Sequence, residues 1–219
     1  MTARRGVRRL AVVAIVGFAL FVILGIAVTR FGEPAPLLQL EAALFDHARV
    51  VAWRLTQTCY PMVLVPICIA LLVLAALLPA WRTRILISIV TLLLAWRGAD
   101  LFQHVFARPR PLQWAVKQET SFSYPSSHAA IATAFYGLWT AMLYFSELPR
   151  WLRVTAAVLL SLLAVAIMWA RLALGVHFIT DLVGGILLAI VVVCIVFAVV
   201  EAVWGRVAGP PGYGKNRAV

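Results

Sequence analysis

Three short polar segments carry residues that could bind and transfer a phosphoryl group. The first is Arg108-Pro109-Arg110-Pro111, and the second is Pro125-Ser126-Ser127-His128. The third contains Arg171, then five residues, His177, then three residues and Asp181. Guanidinium groups suit phosphate oxygens, and a histidine beside a carboxylate can act as a nucleophile. If the three segments meet, the sequence predicts an enzyme active site.

The spacing of His177 and Asp181 places them one turn apart on the same face of a helix that follows Gly175. A carboxylate that accepts from one ring nitrogen fixes the tautomer and leaves the lone pair of the other nitrogen free to attack. A purely structural hydrogen bond at a helix start is the alternative interpretation. The nearby Arg171 favours the chemical one.

The other two segments have features of anion sites. Pro125 followed by two serines predicts a helix start, where Ser126 or Ser127 caps the helix and free N–H groups favour an anion. The prolines after the preceding span hold Arg108 and Arg110 at the membrane boundary. Taken singly, an ordinary helix cap and two arginines that reach lipid headgroups would explain these residues. Their joint occurrence favours a common site.

The composition is that of an integral membrane protein. Hydrophobic residues make up 64% of the 219 residues, charged residues 12%, and the mean hydropathy is +0.99. A soluble domain is about 25% charged. The net charge of +11 lies largely in short segments between apolar spans, which favours membrane orientation over nucleic-acid binding. The cysteines have no metal-type spacing.

The fold expected from the hydropathy pattern is an all-α integral membrane protein with six transmembrane helices in one bundle. The predicted spans are 10–29, 60–80, 85–106, 127–145, 154–174 and 179–200. A short interfacial helix is predicted within 37–57, between the first two spans. Residues 1–205 form a single domain in this prediction, and 206–219 form a disordered tail. Arg97 and Asp100 are expected to pair inside the bundle.

The charge distribution predicts the orientation of the bundle. Eleven basic residues and only two acidic ones, Glu147 and Glu201, fall on the side that carries both termini. The positive-inside rule therefore places both termini in the cytoplasm. The three polar segments then lie at the outer boundary of a cell inner membrane.

The three segments resemble the motifs of the type 2 phosphatidic acid phosphatase (PAP2) superfamily. Those motifs are Lys-six residues-Arg-Pro, then Pro-Ser-Gly-His, then Ser-Arg-five residues-His-three residues-Asp. The resemblance spans residues 103–181, and the six-span topology extends it to most of the chain. The arginines, both histidines and the aspartate fall at matching positions.

The resemblance implies a mechanism without a metal or another cofactor. His177 would be the nucleophile that forms a phosphohistidine, Asp181 would orient it, and His128 would protonate the leaving oxygen and then activate water. Arg110 and Arg171 would bind the phosphoryl oxygens. The backbone around Ser126 and Ser127 would bind them as well.

Three positions depart from the family pattern. Gln103 stands in place of lysine, Ser127 in place of glycine, and Ala170 in place of serine. Gln103 is expected to point toward the phosphate. Arg108 or Lys117 could supply the positive charge that it lacks.

The substrate class implied by the resemblance is a membrane lipid phosphate, with undecaprenyl diphosphate as the first choice. Phosphatidic acid, phosphatidylglycerophosphate and lipid A phosphate are the alternatives within this class. A lipid phosphotransferase and a non-catalytic protein that binds or transports anionic lipid remain as other functions. The expected partners are the lipid substrate and the bilayer, without nucleic acid. The oligomeric state is not predicted.

Overall fold

The computed structural model describes residues 2–45, 48–111 and 119–204, and these residues form helices and connecting turns without a strand. The all-α prediction is therefore confirmed for this part of the chain. The helices are α1 (Thr2–Phe31), α2 (Ala35–Leu44), α3 (Arg49–Gln57), α4 (Pro61–Leu77), α5 (Pro79–Phe106), α6 (Ser127–Ile131), α7 (Leu138–Tyr144), α8 (Arg150–Ala173) and α9 (Ile179–Trp204). Lys117 and the predicted tail lie outside the described residues.

Four helices in the described ranges are long and apolar enough to cross a membrane: α1, α5, α8 and α9. Helices α3 and α4 together meet the same criteria as a fifth span, with a bend of 41° between them. The chain is therefore a multi-pass membrane protein. The predicted span 127–145 corresponds to α6, a π-helical stretch at Ala132–Gly137, and α7.

Helix α9 lies at the centre of the bundle, where α1, α5 and α6 pack against it. Aromatic side chains fill the space between α1 and α5: the Phe21 ring meets those of Phe102 and Phe106 edge-on and stacks on Tyr124. The Tyr124 hydroxyl donates to the Phe21 carbonyl at 2.6 Å. This packing holds Tyr124 in place, three residues before the start of α6.

On the other side of the bundle, α8 packs against α3, α7 and the π-helical stretch. Phe135 and Tyr136 from that stretch join Ile167 of α8 in a buried apolar cluster. The Thr91 hydroxyl of α5 reaches the Ala134 carbonyl at 3.3 Å, next to the altered helical register. The π-helical stretch is thus held from two sides.

The prediction of one interfacial helix within 37–57 is wrong in detail, because this segment forms the two helices α2 and α3. Ala48, directly before α3, has a left-handed backbone with φ of 52°, which no continuous α-helix allows. Glu41 of α2 is only 1% exposed, although it is a charged residue. Its carboxylate accepts a hydrogen bond from the N–H of Ile179 at 2.6 Å, which explains its burial.

Helix α1 begins at Thr2 and contains the predicted span 10–29, so the N-terminal arginines extend the first helix. The expected pairing of Arg97 with Asp100 differs from the structure. Arg97 and Asp100 are both exposed on α5 rather than paired inside the bundle. The Arg97 guanidinium lies over the Trp96 ring, 5.0 Å from its centroid.

Candidate active site

The three polar segments come together at one end of the bundle. Arg108 and Arg110 follow α5, His128 lies in the first turn of α6, and Arg171 lies in the last turn of α8. The turn after α8 contains Gly175, with φ of 63°, in the left-handed region that glycine tolerates best. This turn leads into His177, which lies before α9, whereas Asp181 lies in the first turn of α9. The prediction that both residues share a helix face is therefore wrong, although the two side chains are in contact.

His177 is held at both ring nitrogens. Its Nδ1 lies 3.4 Å from Asp181 Oδ2, and its Nε2 lies 3.1 Å from Arg110 Nη1. Because a guanidinium can only donate, Nε2 must carry a lone pair in this geometry and the proton belongs on Nδ1. Burial, followed by the cations of Arg110 and Arg171, holds the pKa of His177 well below its ordinary value. The imidazole is therefore neutral, as a nucleophile must be.

Asp181 is fully buried and surrounded by donors. Arg108 Nη1 donates to its Oδ1 at 2.5 Å, and the Phe178 N–H donates to Oδ2 at 2.9 Å. The Ser123 hydroxyl also donates to Oδ2. These contacts stabilise a buried negative charge and fix the direction in which it faces His177.

Arg110 is braced by the backbone around it. Its Nε donates to the Ser121 carbonyl at 2.8 Å, and its Nη1 donates to the Val176 carbonyl at 2.7 Å. Arg171 is held by a side chain instead, since its Nη1 donates to the Thr56 hydroxyl at 2.9 Å. Both guanidinium groups therefore have a fixed position near His177.

A carboxylate joins the two arginines. Glu119 Oε1 lies 2.9 Å from Arg171 Nη2, and Glu119 Oε2 lies 3.4 Å from Arg110 Nη2. Burial opposes the charge of Glu119, but Arg171 and Arg110 outweigh it and lower the pKa of this carboxyl below its ordinary value. Arg110 and Arg171 thus share one carboxylate between them.

His128 is the second buried histidine. Its ring meets the Tyr60 ring edge-on at 5.2 Å between centroids. Neither ring nitrogen has a hydrogen-bond partner among the described residues, and the same is true of Arg171 Nε. A buried polar group without a partner is costly, so these atoms are suited to meet a ligand or water.

Ser126 and Gln103, two of the residues expected to bind phosphate, are engaged within the protein. The Ser126 N–H donates to the Asp181 carbonyl at 3.0 Å, and its hydroxyl accepts from the Ala129 N–H at 3.4 Å. The Gln103 amide donates to the Pro125 carbonyl at 2.9 Å. Ser127 is half-buried at the start of α6. Gln103 and Ser126 therefore hold the start of α6 against its neighbours.

Arg108, also expected near the phosphate, lies between two carboxylates. Its Nη1 contacts Asp181, and its Nη2 contacts Glu33 at 2.9 Å. Its guanidinium also lies over the Phe178 ring, 4.2 Å from the centroid. Glu33 and Glu119 did not stand out in the sequence, because neither has a motif-like spacing from the residues it contacts.

The site contains a buried histidine–aspartate pair, a second buried histidine and two arginines that share a carboxylate, groups whose chemistry suits phosphoryl transfer. A sequence model of the PAP2 superfamily matches residues 83–204. Because the match covers more than half of the chain, the protein belongs to the PAP2 superfamily. It is a PAP2-type phosphatase.

The fold is also similar to a crystal structure described as the first transmembrane PAP2 type phosphatidylglycerolphosphate phosphatase from Bacillus subtilis. The TM-score is 0.66 at 20% sequence identity, and the alignment covers 87% of this chain and 96% of the other. At this identity the likeness concerns the fold. No curated protein matches the sequence.

Proposed function

We propose that this phosphatase removes phosphate from a membrane lipid through a phosphohistidine on His177. The observation that carries the proposal is the arrangement of the two ring nitrogens of His177. Asp181 lies on the Nδ1 side, and Arg110 donates to the lone pair of Nε2. The same arginine that contacts Nε2 would therefore bind the phosphoryl group on which Nε2 acts.

In the first step, Nε2 of His177 forms a bond to phosphorus while the bond from phosphorus to the leaving oxygen breaks. His128 donates a proton to that oxygen. In the second step, His128 takes a proton from water, the hydroxide attacks phosphorus, and the bond to His177 breaks. The net reaction consumes one water and yields the dephosphorylated lipid product and free phosphate.

Arg110 and Arg171 would bind the phosphoryl oxygens, and the N–H of Ser127 would add a donor from the start of α6. Gln103, Ser126 and Arg108 would act by position, through the contacts described above. The charge that develops in the transition state would be neutralised by arginine, and no metal is required. Arginines beside His177 also disfavour a metal cation at the histidines.

Undecaprenyl diphosphate is the first choice of substrate. Phosphatidylglycerophosphate is the first alternative, supported by the similar fold of a phosphatidylglycerolphosphate phosphatase from Bacillus subtilis. Phosphatidic acid and lipid A phosphate are further members of the same class. An acceptor hydroxyl in place of water would make the enzyme a phosphotransferase. A non-catalytic lipid-binding protein would not need the second buried histidine.

The proposed architecture has six spans within one domain of residues 1–205. The stretch from Ser127 to Tyr144 adds one span to those already described, since 18 helical residues extend about 27 Å. Both termini would lie in the cytoplasm, and the site would face the outside of a cell inner membrane. The excess of basic residues on the terminal side supports this orientation.

The test is phosphate release by purified protein in buffer with EDTA, across the lipid classes named above. We expect His177→Ala to lower the rate at least about a thousandfold. Asp181→Asn should lower it about a hundredfold or more through loss of tautomer control. The matched control is His104→Ala, which removes an exposed histidine from α5. Near-normal turnover by His177→Ala, or strict dependence on an added divalent metal, would contradict the mechanism.

A further inference from the structure

Two buried carboxyl groups behind Asp181, those of Glu33 and Glu41, have no part in the proposed reaction, although Glu33 contacts Arg108. Glu33 lies between α1 and α2, Glu41 lies on α2, and Arg108 follows α5. The side chains of Glu33 and Arg108 are 1% and 3% exposed, and Glu41 is 1% exposed. Burial of three charges at one place is costly unless they serve one another.

Glu33 links Arg108 to the start of α9. Its Oε2 accepts from Arg108 Nη2 at 2.9 Å and also from the Thr180 hydroxyl. Its Oε1 accepts from the Thr180 N–H at 3.2 Å. Arg108 in turn donates to Asp181. Glu33 is therefore one contact away from the carboxylate that orients His177.

Glu41 binds the neighbouring N–H of the same helix end. Its Oε1 accepts from the Ile179 N–H at 2.6 Å, whereas its Oε2 is buried and accepts from no donor among the described atoms, with the Glu33 carboxyl group close to it. A proton on Oε2 would turn this acceptor into a donor toward the neighbouring Glu33. The two carboxyl groups would then share one proton, since adjacent carboxylates resist ionising together.

We propose that Glu33 and Glu41 are positioning residues for phosphoryl transfer. As a pair that holds one proton, they fix Arg108 and the first N–H groups of α9, and thereby the direction in which Asp181 faces His177. The inference rests on the proposed function, because it concerns the same nucleophile.

The protonation of the pair supports this role. Burial raises the pKa of Glu41 to about 8 against the opposing effect of the Ile179 N–H, and Glu33 and Asp181 add smaller contributions that raise it further. The charged groups that face Glu41 are Glu33 and Asp181, and Arg108 is the cation bound to Glu33. Above this pKa, three carboxylates would share one guanidinium. Repulsion would then loosen the contact between Arg108 and Asp181.

The experiment compares kcat/KM at pH 7 and pH 9 for the wild type and for Glu41→Gln. Glutamine keeps the acceptor for Ile179 and a donor toward Glu33, but it cannot ionise. We expect the ratio of kcat/KM at pH 7 to kcat/KM at pH 9 to be about tenfold larger in the wild type than in Glu41→Gln. The comparison uses the ratio within each variant, so a change in basal rate does not affect it.

A second readout does not depend on turnover. Because the pKa of Glu41 is higher in the folded protein than its ordinary value of 4.5, folding is favoured by its protonated form. This stabilising contribution is complete below pH 4.5 and is lost as the pH rises through about 8. The melting temperature of Glu41→Gln in detergent should therefore fall less between pH 6 and pH 9 than that of the wild type.

Glu147→Gln, in the loop between α7 and α8, is the matched control and should behave as the wild type in both measurements. Equal pH ratios and equal melting profiles for wild type and Glu41→Gln would overturn the inference. A flattened melting profile with an unchanged activity ratio would overturn the positioning role and leave a structural pair. If the wild type releases no phosphate from any lipid, the proposed function fails instead, and the melting profile still tests the shared proton.

Discussion

At the scale of single residues, Glu119 has the clearest consequence for catalysis. Its carboxylate binds both Arg110 and Arg171, the two groups proposed to hold the phosphoryl oxygens. A phosphate ester has to take these contacts from Glu119 or share them with it. Under the proposed mechanism Glu119 would therefore compete with the substrate, and its charge also offsets the repulsion between the two nearby cations.

Replacing Glu119 should reveal this competition. We expect Glu119→Gln to lower the inhibition constant of orthovanadate, a phosphate analogue, by about fivefold, since a charged contact is roughly twice as strong as a neutral one. The KM for lipid substrate should fall in the same direction. Glu147→Gln serves as the control. Weaker vanadate inhibition would show that Glu119 shapes the site instead of competing for it.

The sequence predicted which residues gather at the site better than it predicted what each one contacts. The four-residue step from His177 to Asp181 predicted that the two side chains lie close together, but the predicted common helix face is wrong, because α9 begins at Ile179 and His177 precedes it. Arg108 was expected near the phosphate, but Glu33 holds it from a position 75 residues away in the chain. No local pattern encodes such a distant contact. Residue spacing therefore predicts which side chains are neighbours along the chain, but not the helix bounds or the distant partner that a side chain contacts.

At the scale of elements, the approach of α6 to α9 sets the position of His128. Gly185 of α9 lies under the start of α6, and a Cβ added there would lie 2.5 Å from the Ser126 carbonyl oxygen and 2.8 Å from the Ala129 Cβ. The nearest of these atoms, the Ser126 carbonyl oxygen, belongs to the backbone and cannot move aside by a side-chain rotation. The two helices can be this close only because residue 185 has no side chain.

Gly185→Ala should therefore displace the start of α6. We expect a loss of about 2 kcal/mol in the free energy of unfolding, typical of overpacking, together with reduced phosphate release. Gly98→Ala on α5 is the matched control, because its added Cβ would lie 3.8 Å from the nearest Leu188 atom. Thermal melting in detergent measures both variants. Equal melting temperatures for the two would mean that α6 accommodates the added methyl group.

Long apolar helices were well predicted, and short ones were not. The predicted spans 85–106 and 154–174 end at or within a residue of the ends of α5 and α8. The sequence predicts one helix within 37–57 because the apolar spacing continues through Ala48, whose backbone is left-handed in the structure. Periodicity records which faces are apolar, but it does not record a change of direction between two helices.

At the scale of the whole molecule, the orientation in the membrane determines which lipid leaflet the enzyme serves. The excess of basic residues predicts that the end of the bundle opposite the active site faces the cytoplasm. Thr120 is exposed beside the active site, and Glu147 is exposed in the loop between α7 and α8. In the proposed topology, Thr120 and Glu147 lie on opposite sides of the membrane.

In intact cells, an impermeant thiol reagent should label Thr120→Cys and should label Glu147→Cys only after the membrane is permeabilised. The wild type, with its own three cysteines, provides the blank. A reporter fused after Val219 should show cytoplasmic behaviour. The reverse labelling pattern would place the active site on the cytoplasmic side and exclude a role in the outer leaflet.

The π-helical stretch at Ala132–Gly137 limits how this protein can change over evolutionary time. A π turn holds one residue more than an α turn, so the helix on either side of it is out of phase by about 100°. His128 before the stretch and Leu138 after it are both buried, so both face the bundle interior with that extra residue in place. Loss of a single residue there would rotate one of them relative to the other by about 100°. Exchanges of residues in this stretch are therefore expected to be tolerated more readily than an insertion or a deletion.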